Sequence, residues 1–167
     1  MSYDIFISYS TKDLEIVQHV QRALAVPGVR VFIAEYSVAP GAPLAAQIEN
    51  AIRQCNLFLL LWSRNSRASE WVPQEIGVAR GCGREIFPIV VHADLKLPGF
   101  IEGLKYAKLY EGPDAFLASL RQHAQGQVLA LEKAQQRSRT FAFAAIAGLL
   151  LLASGDDEKD DGRAKRR

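Results

Sequence analysis

Two rhythms of apolar and polar positions alternate along this chain. YDIFISY (3–9) is dense in Ile, Phe and Tyr and reads as a strand. From Thr11 to about Ala25 the apolar residues fall at Leu14, Val17, Val20 and Leu24, the spacing of one helix face. Pro27-Gly28 stops that helix, and VRVFIA (29–34) reads as a second strand. The loop EYSVAPGAP follows, then a helix from about Leu44 to Gln54 with Ile48, Ala51 and Ile52 on one face. NLFLLLWS (56–63) is continuously apolar, as a strand covered on both faces of a parallel sheet must be. A helix from about Ser69 ends at Gly81-Cys82-Gly83, and EIFPIVV (85–91) is a fourth strand. KYAKLY (105–110) reads as a short, more polar edge strand, after which Gly112-Pro113-Asp114 opens a helix to about Ala124.

This βαβαβαβ order predicts an α/β fold, an open parallel sheet with helices on both faces. Ligands of such folds sit at the carboxyl ends of the strands. The loops expected there are YSTKD, AEYSVAPGAP and SRNSRASEW, which hold most of the unusual polar residues of the chain. Composition narrows the chemistry. Residues 1–125 carry twelve Lys/Arg and twelve Asp/Glu, so the net charge of +2 arises entirely in the remaining residues. That balance gives the folded part no electrostatic footprint for nucleic acid. Two cysteines (Cys55, Cys82) and three scattered histidines (His19, His92, His123) form no CxxC or HxxxH, so neither a metal site nor a disulfide framework is expected. MSYDIFISYS has neither a basic n-region nor an apolar h-region, so no signal peptide is read, and the main domain is expected in the cytoplasm.

Beyond Ala124 the character changes. Residues 126–140 read as a polar helical connector, 141–155 as a hydrophobic helix and 156–167 as a charged tail. Thr140 to Gly155 is sixteen residues without a charge. As a helix it would reach roughly 24 Å, against a bilayer core of about 30 Å. A marginal span, anchored by Arg137 and Arg139 on the cytoplasmic side of an inner membrane, is one reading. An apolar helix packed in an assembly is the other.

Several doubly wound families are tested by what is missing. There is no GxGxxG after the first strand and no GxxxxGK[ST] anywhere, and the third strand ends in Trp62-Ser63 rather than in an aspartate. Three ordered segments, taken together, resemble a TIR (Toll/interleukin-1 receptor) domain of the bacterial NAD-cleaving type. YDIFISYSTKD matches the family's first box. VFIAEYSVAPGAPLAAQIENAI resembles the second, with its BB loop, and SRNSRASEWVPQEI resembles the third, with glutamate four residues after tryptophan. The match spans roughly residues 1–125; Val72 stands where many members carry cysteine, and Pro73 is less usual. The resemblance implies a flavodoxin-like open parallel five-stranded sheet, followed here by the C-terminal hydrophobic helix. It also implies NAD as substrate with no cofactor, self-association through TIR–TIR contacts, and a role in antiphage defence or immune-like signalling.

Within that frame Glu75 is the candidate catalytic residue. Trp71 and Glu75 are i and i+4, on one face of a helix whose positive end favours a carboxylate. Ser69 is placed as its N-cap. Cleaving NAD between ribose and nicotinamide expels a neutral leaving group from a cationic one, so no general acid is needed, and one fixed carboxylate suffices to meet the charge on the ribose. Trp71 reads either as a substrate contact or as core. Tyr9, Ser10 and Asp13 read either as substrate contacts or as capping and turn chemistry. Tyr36 in the BB loop is a candidate stacking residue, and Arg64 and Arg67 candidate pyrophosphate contacts; for these three the exposed-loop reading is the simpler. The competing function is a non-enzymatic adaptor that uses the Pro40-Gly41 surface of the BB loop.

Overall fold

The computed structural model describes residues 2–33 and 44–153, with side chains described through residue 137. Tyr36, Pro40 and Gly41, and with them the expected BB loop, lie outside the described residues, as does the tail 156–167. The chain divides into two compact units, Met1–Val128 and Leu129–Arg167.

The first unit is built on five parallel strands: β1 (Tyr3–Ser8), β2 (Val29–Phe32), β3 (Leu57–Trp62), β4 (Glu85–Val90) and β5 (Ala107–Lys108). Their spatial order is β2-β1-β3-β4-β5, the flavodoxin-like winding, whose strand order reverses between β1 and β3. The helices are α1 (Leu14–Ala23), α2 (Leu44–Gln54), α3 (Arg64–Arg67), α4 (Trp71–Gly81) and α5, which starts at Pro113. All six residues of β3 are buried, as an inner strand covered on both sides requires.

Register explains the aromatic core. Phe6 is the direct partner of Phe32 on β2 and of Phe58 on β3. Its ring stacks on both, with centroids 5.4 Å apart in each case. Residues two apart on a strand share a face, so Phe58, Leu60 and Trp62 continue that layer, and Ile52 of α2 with Val72, Ile76 and Ala79 of α4 pack against it. Gly28, at φ 84°, makes the turn into β2; a Cβ there would also meet Val128 Cγ1 at 2.8 Å, so conformation and space both require glycine.

Two elements differ from the pattern along the sequence. The expected edge strand 105–110 pairs only at Ala107 and Lys108, opposite Ile89 and Val90, because β4 ends there; Leu109–Glu111 then turns as a 3₁₀ helix. The helix expected to stop near Ala124 instead runs unbroken as α5, Pro113–Ala153. Gly126 is its only glycine before Gly148, no proline follows Pro113, and the 127–137 stretch is rich in strong helix formers. In the second unit this helix is the described structure. Among the described residues no helix is long and apolar enough to cross a membrane. The proposed anchor 141–155 has side chains outside the described set, so the fold lends the membrane reading no support.

Candidate functional site

The site grows from the carboxyl end of β1. Helix α4 places Val72, Ile76 and Ala79 in the core. That anchoring holds Glu75, the neighbour of Ile76, half-buried at the rim of the sheet. Its Oε2 accepts a hydrogen bond from Ser8 Oγ at 2.5 Å. Trp71, one turn earlier on the same face, is 56% exposed. The N-cap position is Glu70 rather than Ser69, yet Ser69 Oγ still accepts from the amides of Trp71 and Val72, at 3.3 and 3.4 Å. Pro73 is the third residue of the helix, where the amide it lacks would have had no intrahelical acceptor.

These groups open onto a cleft of about 210 Å³, lined by Ile7, Tyr9, Ser10 and Thr11 after β1, Leu44 and Ile48 of α2, and Ser69, Trp71 and Glu75. Of the six candidate residues, Tyr9, Ser10, Trp71 and Glu75 therefore come together. Trp71 and Leu44, both exposed, form an apolar wall. The buried Tyr9 hydroxyl has no partner among the described residues. A buried hydroxyl without a partner is costly. A larger cleft of about 440 Å³ lies elsewhere, along β2 and α2, lined by Asp4, Arg30, Phe32 and the amides Gln47, Asn50 and Gln54. Its carboxylate, Asp4, is paired with Arg30, and the candidate residues Tyr9, Ser10, Trp71 and Glu75 line the smaller cleft instead.

Asp13 does not line the cleft. It is 6% exposed, and both carboxylate oxygens are engaged: Oδ2 by Ser63 Oγ at 2.5 Å and Oδ1 by Asn65 Nδ2 at 2.6 Å. Ser63 caps α3, with its hydroxyl accepting from Ser66 N, while Ser66 Oγ accepts from Ser63 N and donates to the Leu61 carbonyl. Every hydroxyl proton of this clasp has an acceptor. It ties the loop after β1 to the loop after β3, and so fixes the two chain segments that flank the site. Ser63→Ala removes one donor from a buried carboxylate and the cap from α3. The expected loss of stability is about 1–3 kcal/mol, read from the urea midpoint; an unchanged midpoint would show the clasp to be idle.

The two arginines are not part of the cleft. Arg64 pairs with Asp94 at 3.0 Å on the surface, which holds the Asp94 carboxyl below its usual range, and Arg67 is exposed. Burial pushes the Cys55 thiol up to about 11, which leaves it protonated and inert. Among the described residues no group of three or more His, Cys, Asp or Glu side chains is placed to hold a metal.

Comparison with known proteins places the family and the fold. The family profile of the TIR domain matches residues 5–124. The chain is 29% identical over 101 residues to the probable 2′ cyclic ADP-D-ribose synthase BdTIR of Brachypodium distachyon, a match covering 58% of this chain and 45% of that protein. It is 26% identical over 103 residues to the disease resistance protein RUN1 of Vitis rotundifolia, covering 56% of this chain and only 8% of that protein. In structure it resembles the TIR domain of the Toll-related receptor TRR-2 from Hydra magnipapillata, with a TM-score of 0.59 and 21% identity over 74% of this chain and 99% of that one. At that identity the likeness speaks for the fold alone.

Proposed function

We propose, from the premise that this chain belongs to the TIR domain family, that it cleaves NAD between the ribose and nicotinamide when copies associate. The observation that carries this reading is Glu75: a half-buried carboxylate, hydrogen-bonded by Ser8, lining a cleft together with Trp71 and Tyr9. The bond between ribose C1′ and the pyridinium nitrogen breaks, and its electron pair leaves with neutral nicotinamide. Positive charge builds on the ribose ring, where a preorganised carboxylate stabilises it or accepts from a ribose hydroxyl. Attack by water gives ADP-ribose and a proton. Attack by a hydroxyl of the same molecule gives a cyclic product, the outcome named for the Brachypodium relative. Trp71 is the flat wall for an aromatic ring of the substrate, with Tyr9 and Ser10 lining the same cleft. The resistance-protein relative supports a place in immune-like signalling.

Self-association is expected to show as cooperativity. Nicotinamide release per protein molecule rises with protein concentration, several-fold over the range in which light scattering detects assembly. The adaptor reading predicts otherwise: assembled protein that releases no nicotinamide at any concentration. That result would move the function to TIR–TIR contacts and the BB loop.

A further inference from the structure

We infer that Ser8 is a positioning residue for Glu75, an inference that rests on the NAD-cleaving reading above. Ser8 is the last residue of β1, sits opposite Leu60 of β3 and is 1% exposed. Its neighbours Ile5, Phe6 and Ile7, like all of β3, are apolar. A hydroxyl in that layer is unfavourable unless it is paired. The pairing is with Glu75 Oε2, at 2.5 Å across 67 residues of sequence.

The geometry gives the bond a direction and a consequence. Ser8 shares the sheet face of Phe6, the face that α4 covers, so the hydroxyl rises from a rigid strand to the rim where Glu75 projects. The O–H donates and the carboxylate accepts. A hydrogen bond to the charged form favours the ionised carboxylate and fixes the plane of the group. Both are needed of a carboxylate that faces a developing positive charge, because reorientation during the reaction would forfeit much of its stabilisation. The sheet thus sets the aim of a helix-borne carboxylate, and Ser8 acts through Glu75 rather than on NAD itself.

The test compares this chain in four forms: wild type, Ser8→Ala, Ser8→Thr and Ser8→Val. Nicotinamide release from NAD gives kcat and KM, and thermal unfolding gives Tm. Threonine and valine add the same methyl in the same shape, so any packing cost is common to both and only the hydroxyl separates them. For Ser8→Ala, kcat falls about 10-fold to 100-fold, the range of a hydrogen bond to a charged group, while KM stays within about 2-fold of wild type. Ser8→Thr recovers most of the rate relative to Ser8→Val at equal Tm. A second arm places Ser8→Ala in a Glu75→Gln background, where it lowers the residual rate no further. Equal rates for the threonine and valine variants, a fall that appears in KM alone, or a fall that tracks Tm would each overturn the role of Ser8 while the enzyme reading stands. An inactive wild type, shown to be assembled, would overturn both readings at once, so the two failures are distinguishable.

Discussion

On the proposed reading, Glu75→Gln is expected to lower nicotinamide release from NAD by about 10²-fold to 10³-fold, the loss typical of removing one preorganised electrostatic group. Glutamine has the shape of glutamate, and its amide oxygen can still accept from Ser8 Oγ, so the fold and the cleft persist. What disappears is the negative charge that the proposed reaction sets against the ribose. The substitution therefore separates charge from packing more cleanly than alanine does. Glu75 stands one residue from the buried Ile76 and is itself only half-buried, so the Tm is expected to move little. Nicotinamide release by assembled wild type and variant is the measurement, with Tm as the control. A variant that keeps half the wild-type rate would remove Glu75 from the chemistry.

Phe6→Ala is expected to destabilise the first unit by about 3–5 kcal/mol. Against a total stability on the order of 5–15 kcal/mol, that removes from about a fifth of it to all of it. Phe6 is 1% exposed and lies between the rings of Phe32 and Phe58, at 5.4 Å from each. Its removal opens a cavity in a layer held rigid by parallel strands on both sides, which cannot collapse without breaking register. The site shares the cost, since Ser8 stands two residues further on the same face. Urea unfolding reads the effect as a lower midpoint at an unchanged slope. A loss below about 1 kcal/mol would mean that α2 and α4 close over the gap.

The pattern along the chain was sufficient for the order of strands and helices, because apolar period 2 and period 3.6 report how each segment is half-covered. It set α2 at Leu44–Gln54 and β3 within 56–63, since both are strongly patterned and bounded by turns or a polar residue. It also put Trp71 and Glu75 on one helix face, a matter of local geometry that no tertiary contact had to decide. Element ends were less legible. The length of β5 is set by where its partner β4 stops, and the length of α5 by the absence of a strong breaker rather than by amphipathicity.

Periodicity names the face a residue occupies but not the group that meets it there. Alternation with Phe6 places Ser8 on a covered face, yet only the strand order and register bring α4 over it, 67 positions away. Asp13 read as a substrate contact or a cap because its flanking residues suit either; the fold commits it to Ser63 and Asn65, 50 and 52 positions on. Tyr9 was legible as a tyrosine at a strand end, but only the fold puts it in one cleft with Ile48 of α2 and Glu75 of α4. Sequence by itself determined the α/β class and the family and singled out Glu75 as the candidate for the proposed chemistry, because those follow from local pattern and motif. The tertiary structure alone decided which hydroxyl holds that residue and which carboxylate merely clasps two loops, because both depend on contacts between segments that the chain keeps far apart.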